Sequence, residues 1–511
     1  MKKLPIGIQT FEEIIKQNYL YIDKTELALE LIENYKYSFL SRPRRFGKSL
    51  FLDTLHNIFE GKKELFKGLD IYEKWDWEEN YPVIKISWAG SDYETLETSK
   101  KKAKYILEVN QERLKIECEI DDEPSVCFAR LITEAYKKYN KKVVILIDEY
   151  DKPILNNIEN TKKALKHRNF LRGFYEVLKD NDAYIKFAFL TGISKFSKAN
   201  IFSGLNNLED ISLTKRFGNV CGYTQKDIEN DFREYWGDTD LEKVKRWYNG
   251  YSFMGDKVYN PFNILKFIKN EFAFENYWWE SGNPSFLITL LKEQKKYNIP
   301  NLENITVGKE LLNSFEIEKL KLEVLLFQAG YLTIERAIQT PIGTKYKLKI
   351  PNMEVQISLN ALFLEYLLED DFNDKRVELY EILFEAELED FRDIFVSLFA
   401  SLANNNYTRN DISKYEGYYA SVFYAYLSAS GLDIIAEDVT NIGRIDLTIK
   451  LNNNVYIIEF KIVGESAIQQ IKRKEYADKY RDKKRDIYLI GIEFNQEKRN
   501  ISKFEWEKID G

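Results

Sequence analysis

Residues 445–461 read IDLTIKLNNNVYIIEFK, in which Asp446 stands thirteen positions before Glu459 and Lys461 follows two later. A two-residue Asn452-Asn453 loop suits a tight hairpin, because asparagine tolerates φ > 0. In that register 451 faces 454, so Asp446 lies opposite Glu459, and the period of two puts Lys461 on the Glu459 face. Facing carboxylates repel unless they share a cation, and Mg²⁺ is the natural one. Asp446 and Glu459, helped by the Phe460 carbonyl, would hold the metal, which acidifies a water and polarises a phosphate. Lys461 would orient or help deprotonate that water and offset charge in the transition state. A half-exposed hairpin of alternating charge is the plain alternative.

A second constellation lies four hundred residues earlier. RPRRFGKS (42–49) sits between the apolar run YKYSFL (35–40) and LFLDTLHNIF (50–59). A strand, a loop ending Gly47-Lys48-Ser49 and a helix can cradle phosphates on backbone N–H groups, with the lysine on the terminal phosphates and the serine hydroxyl on Mg²⁺. Arg42 occupies the position of the first glycine of that motif. Arg44 and Arg45 add charge beside Phe46. Downstream, VVILIDEYDKP (143–153) reads as a buried strand ending in Asp148, to hold Mg²⁺, and Glu149, to polarise an attacking water. A strand followed by a solvated acidic turn is the bland reading. Thr191 and Ser194, at the end of YIKFAFLTGISKFS (184–197), stand where a γ-phosphate sensor or a simple strand cap would sit.

These residues need scaffolds. A chain of 511 residues exceeds one ordinary core, so two to four domains are expected. Two histidines and three cysteines exclude a disulfide framework and a Cys- or His-built zinc site, leaving carboxylate oxygen as the metal donor. The net charge of −7 argues against a generally nucleic-acid-coating protein and leaves room for a local basic surface. No apolar stretch suits a signal peptide or a membrane span, so a soluble, cytoplasmic protein without membrane contact is expected.

Short apolar strands alternate with helical stretches from about 36 to 215, the pattern of a parallel sheet covered on both faces. The fold class expected is therefore α/β: a P-loop NTPase parallel sheet, then a helical lid, then a C-terminal mixed α/β sheet. A helix at 318–328 and two alternating strands around Pro341-Ile342-Gly343 suit a winged-helix unit. Residues 417–495 read helix, three strands, a charged helix over 465–481, and a strand. The domains expected are 1–222, 223–409 and 410–511.

The N-terminal half resembles the bacterial AAA-ATPase-like family that carries an RPRRFGKS-type loop, on YIDKT (21–25), SRPRRFGKSLF (41–51), LIDEYDKP (146–153), LTGISKFS (190–197), WYNGY (247–251) and SGNPSFL (281–287). Arg42 is typical of that family. The resemblance implies ATP and Mg²⁺ as cofactors, Asp23 and Lys24 near the base, and Arg216 as an arginine finger. Residues 410–495 resemble the PD-(D/E)XK nuclease superfamily on GRIDL (443–447), IIEFK (457–461) and QIKRKEYADKY (470–480). That likeness implies a restriction-endonuclease-like fold for the mixed sheet, Gln470 and Tyr476 as further site residues, Glu416 as an additional acid, and DNA as substrate. The eight basic residues in 472–485 against three acidic suit a phosphate backbone or a solvated helix stabilised by a Glu475–Lys479 pair. The expectation is an ATPase with a metal-dependent nuclease module, in which a homo-oligomer is open. Two rivals stand beside it. One is a nucleotide-dependent switch whose nuclease-like domain binds nucleic acid or a partner without cutting, and the other is an ATPase acting on proteins.

Overall fold

The computed structural model describes residues 1–117, 123–195, 207–278, 305–308, 317, 321–367, 373–401, 416–462, 466–481, 485–495 and 497–510. The chain divides into two compact units, Met1–Gly282 with Thr306–Asn352, and a second that includes Met353–Gly511. The residues 223–278, the hairpin region and the α/β sheet share the first unit. The SGNPSFL block lies outside the described residues.

In the first unit, β1 (Tyr37–Ser41), β2 (Val83–Ser87), β3 (Val143–Asp148), β4 (Ile185–Gly192) and β5 (Glu209–Asp210) form a sheet in the order β2-β3-β4-β1-β5. All its pairings are parallel. Every residue of β1 and β3 is buried, as near-continuous apolar strands demand when helices cover both faces. The short edge strand β5 carries no apolar run and is not legible from its sequence.

The strands β6 (Tyr223–Thr224) and β7 (Val258–Tyr259) pair antiparallel beside the helices Gln225–Asn230, Leu241–Tyr248 and Pro261–Lys269. After the helix Leu322–Ala329, β9 (Thr333–Thr340) and β10 (Gly343–Lys349) make the expected hairpin, and β8 (Thr306–Gly308) adds a third strand on β10.

The second unit holds β11 (Asp433–Val439), β12 (Arg444–Leu451), β13 (Asn454–Lys461), β14 (Asp486–Asn495) and β15 (Asn500–Asp510) in sequential order. Only β13 and β14 pair parallel, and the helix Ala467–Arg473 makes the crossover that a parallel pair requires. The sheet is mixed, as expected, and β15 is a fifth strand beyond the sequence expectation. Phe460 and Phe494 meet Phe423 of the helix Glu416–Ala429 at ring distances of 5.0 and 6.1 Å. Ile457 and Leu489 pack instead with Ile471, Tyr476 and Tyr480. Helices thus flank the sheet on two sides.

The charged helix expected over 465–481 is shorter. It ends at Arg473, Glu475 takes φ +48°, and a separate turn of 3₁₀ helix spans Tyr476–Tyr480. The Glu475–Lys479 helical pair is therefore replaced: Lys479 reaches across to Asp438 and to the Val439 carbonyl. Lys472 is likewise paired with Glu507, and Arg481 with Asp478. Lys483 and Lys484 lie outside the described residues.

Candidate nucleotide pocket and candidate metal centre

In the first unit, β1 ends at Ser41 and the helix Lys48–Phe59 begins seven residues later. Gly47 caps that helix at φ +91°, a conformation that costs other residues a Cβ clash. The helix then buries Phe51, Leu52, Leu55, Ile58 and Phe59, an apolar stripe of helical period that fixes it on the sheet. Its N-terminus is left facing a cavity of about 380 Å³, a volume ordinary for a small-ligand site.

Arg44, Arg45, Phe46, Gly47, Lys48 and Ser49 all line that cavity. Lys48 Nζ donates to the carbonyls of Arg42 and Pro43, both at 2.9 Å. Burial pushes the Lys48 ammonium below its ordinary pKa, against the opposing pull of Asp148. The Arg45 guanidinium lies 4.6 Å from the centre of the Phe262 ring, within cation–π range.

The carboxylate of Asp148 collects three donors. Ser49 Oγ donates to Oδ2 at 2.6 Å, Thr191 Oγ1 to Oδ1 at 2.5 Å, and the Glu149 N–H to Oδ1 at 3.1 Å. Glu149 lines the cavity at φ +51°, with Oε2 3.7 Å from Lys152 Nζ. Ser194 serves another acid: its N–H and Oγ both donate to Asp151 Oδ2, at 2.7 and 2.5 Å. Burial raises the pKa of Asp151.

Arg42 is placed elsewhere than expected. Its guanidinium is buried and donates to the carbonyls of Ser41, Ser212 and Phe217 at 2.8, 2.8 and 3.0 Å, over the Phe253 ring at 4.0 Å. Its own N–H donates to the Gly192 carbonyl at 3.2 Å. Desolvation lowers its pKa to about 10. The side chain that replaces the first glycine thus ties the loop to the neighbouring segment. Asp23 and Lys24 are likewise spent on structure. Asp23 accepts from Thr25 and from the Asp70 N–H, and Lys24 Nζ pairs with Asp227 at 2.8 Å. Arg216 is exposed and paired with Glu26 and Glu30 of its own chain.

The far walls of the cavity escaped the sequence reading. Pro5, Ile8 and Gln9 form one side, and Tyr223, Phe262 and Leu265 the other. The available signals were the PIG turn at the N-terminus and the Asn260-Pro261 helix start, where Asn260 caps the helix and also donates to the Arg44 carbonyl at 3.3 Å.

In the second unit, the hairpin has the expected register: Leu451 faces Asn454, and pairing continues to Leu447 opposite Ile458. Asn452 takes φ +54° at the turn. Beyond Leu447 the carboxylates themselves bridge the strands. Asp446 Oδ2 accepts the Phe460 N–H at 2.8 Å, and Glu459 Oε2 accepts the Asp446 N–H at 3.4 Å. Glu459 is 2 % exposed, and Lys461 Nζ lies 4.0 Å from its Oε1. The Gln470 amide, one helix away, donates to that same Oε1. Asp446, Glu459, Lys461 and Gln470 are therefore brought to one point.

Gln470 reaches it because its helix rests on Gly491: a Cβ there would lie 2.4 Å from the Ile468 nitrogen. Tyr476 stands behind, its hydroxyl donating to the Arg444 carbonyl at 3.0 Å, and burial raises its pKa. Glu416 opens the helix Glu416–Ala429. A buried acid missed from sequence, Asp438, accepts from Thr448 Oγ1 at 3.0 Å and from Lys479 and Tyr480. Its signal was an acid inside the strand pattern IIAEDV (434–439).

The donors suit a hard divalent cation in both places. Asp446 and Glu459 with the Phe460 main chain offer only oxygen, as do Ser49 and Asp148. Among the described residues, no group of three or more His, Cys, Asp or Glu side chains is disposed to hold a metal, so a metal at either place would complete its shell with water or phosphate.

Both folds carry recognisable relatives. Residues 5–202 match the family described as "Predicted AAA-ATPase", and residues 414–504 match the PD-(D/E)XK nuclease superfamily. The chain belongs to the AAA-ATPase-like proteins that also carry a PD-(D/E)XK nuclease superfamily domain. It is 44% identical over 515 residues to a protein of Azotobacter chroococcum mcd 1 described as "Uncharacterized protein in vnfD 5'region", covering 99% of each chain. Among the described residues, no helix is long and apolar enough to cross a membrane.

Proposed function

We propose that the chain binds and hydrolyses ATP with Mg²⁺ in the loop cavity, and that its C-terminal unit is a Mg²⁺-dependent nuclease acting on DNA phosphodiesters. The convergence of Asp446, Glu459, Lys461 and Gln470 carries the second half of this reading. A bound Mg²⁺ would supply Lewis acidity and a more acidic water. Asp446 and Glu459 would hold the metal, and the Gln470 amide, bonded to one Glu459 oxygen, fixes which oxygen faces it. Lys461 would orient the attacking water and place positive charge against the phosphoryl oxygens.

In the first unit, Lys48 would exchange two loop carbonyls for phosphate oxygens, Ser49 and Asp148 would hold Mg²⁺, and Glu149 would orient water. Gly47 and Arg45 shape the cradle. The apolar walls contributed by Ile8, Tyr223 and Leu265 suit a purine.

Plasmid DNA incubated with Mg²⁺, with and without ATP, tests the proposal. Cutting is expected from the wild-type chain and not from Asp446→Ala or Lys461→Ala; equal cutting by all three would refute it. A non-cleaving, nucleotide-dependent binding protein is the second reading. It is favoured by the protein donors that already engage both Glu459 oxygens, the Asp446 N–H on Oε2 and the Gln470 amide on Oε1, and DNA binding without cutting in Mg²⁺ or Mn²⁺ would select it.

A further inference from the structure

Two runs in the first unit hold cations with no carboxylate among them. TSKKKAKYIL (98–107) contains Lys100, Lys101, Lys102 and Lys104, and NTKKALKHRNFLR (160–172) contains Lys162, Lys163, Lys166, Arg168 and Arg172. They occupy the opening turns of the helices Leu96–Leu114 and Thr161–Asp180, which follow β2 and β3. Helices that follow neighbouring parallel strands begin at the same end of the sheet, so the two runs start side by side.

Direct bonds hold them there. Asn157 Nδ2 donates to the Tyr93 carbonyl at 2.7 Å, joining the two loops that lead into the helices. Ser99 Oγ and His167 Nδ1 meet at 2.9 Å, both buried, and join the helices themselves. Thr95 and Asn160 cap the two N-termini. Burial, and after it the charge of Lys163, lowers the pKa of His167. Lys101, Lys162, Lys163 and Lys166 point outward, while Lys100 pairs with Glu123 at 3.0 Å. Tyr105 is 58% exposed on the same helix, with Lys102 Nζ 5.6 Å from its ring centre.

Such a concentration of positive charge runs against a chain whose net charge is −7. Packing does not require it, since the buried faces of both helices are made by other residues, among them Ala103, Ile106, Leu107, Leu171 and Phe174.

We propose that the paired starts of these two helices form a surface that binds the phosphate backbone of duplex DNA. Its residues belong neither to the nucleotide cavity nor to the acidic hairpin. The proposal rests on the reading that DNA is the substrate of this chain. A backbone surface needs fixed cations in a row without base readout, and the clamped helices supply that. An acidic membrane surface would call for a broad apolar face beside the cations, and Tyr105 and Val109 are small for one.

The test is fluorescence anisotropy of a labelled duplex with the full-length chain in EDTA, titrated with KCl. The wild type is compared with the combined variant Lys101→Gln, Lys162→Gln, Lys163→Gln, Lys166→Gln. Removing four phosphate contacts should flatten the log–log salt dependence by about 3 to 4 and weaken binding about tenfold or more at moderate salt. Unchanged binding of an ATP analogue shows that the variant is folded.

Lys461→Met serves as the parallel variant. If the nuclease reading holds, it loses cutting in Mg²⁺ while its salt slope falls by about one at most, the share of a single phosphate contact, so the two readings fail separately. Equal affinity and slope in wild type and combined variant overturn the proposal, as does a wild type that binds no duplex. Binding to phosphatidylserine vesicles that the combined variant loses, with duplex binding untouched, overturns it in favour of a membrane.

Discussion

Ser49 Oγ donates to Asp148 Oδ2 at 2.6 Å, joining the end of the phosphate-type loop to the end of β3. Thr191 of β4 donates to the other oxygen of the same carboxylate. Three segments far apart in sequence therefore converge on one acid. Asp148→Asn keeps the shape and removes the charge. A charged hydrogen-bonded group of this kind is worth about 1.5–3 kcal/mol, so the Mg²⁺-dependent part of ATP-analogue affinity should fall about tenfold or more, with Mg²⁺-free affinity little changed. Titrations with and without Mg²⁺ read the difference, and an unaltered Mg²⁺ dependence would take Asp148 out of the metal role.

Arg42 makes the opposite prediction. Its guanidinium serves the carbonyls of Ser41, Ser212 and Phe217, so Arg42→Ala leaves buried acceptors without donors, at about 1–3 kcal/mol for each unsatisfied group. The urea midpoint should drop markedly, while the fraction that remains folded binds an ATP analogue within a few-fold of wild type. A large loss of affinity at unchanged stability would make Arg42 a nucleotide ligand instead.

The contrast between those two residues shows what the sequence discloses. Asp148 was legible because a buried apolar strand and its terminal acid are local features. The role of Arg42 was not, because its partners lie about 170 residues away and a motif position says nothing of where a long side chain turns. The acidic hairpin was legible for the same local reason: alternation and an asparagine turn set the register. Asp438 was hidden because its partners, Thr448, Lys479 and Tyr480, assemble only in the folded sheet. The charged helix at 465–481 was over-read, since periodic charge does not reveal that Lys479 is drawn off to a buried acid.

Gly491 controls where Gln470 stands. A Cβ at this position would come within 2.4 Å of the Ile468 backbone nitrogen, so the helix Ala467–Arg473 must lift from β14 to admit one. Overpacking of this kind costs about 1–3 kcal/mol. Gly491→Ala should therefore lower thermal stability and reduce DNA cleavage, because the Gln470–Glu459 contact moves with the helix. Gln470→Ala should reduce cleavage with less loss of stability. Cleavage at the wild-type rate in both variants would separate Gln470 from the chemistry.

Asp438 fixes the expected response to acid. Burial alone would raise its pKa, but the donors Lys479, Tyr480 and Thr448 outweigh that and hold it below the ordinary carboxylate value. A carboxyl whose folded pKa lies below its unfolded pKa stabilises the fold fully above the unfolded value, near about 4, and loses that contribution as the pH falls through the folded value. Asp438→Asn removes the charge and the dependence together. The full-length variant should be less stable than wild type at neutral pH by about 1–3 kcal/mol, and the gap should narrow as the pH is lowered below about 4. Calorimetric scans of both proteins across that range measure it. A gap that stays constant with pH would mean that the three donors hold ionised and protonated Asp438 equally well, and that its charge contributes nothing to holding the 476–480 segment against β11.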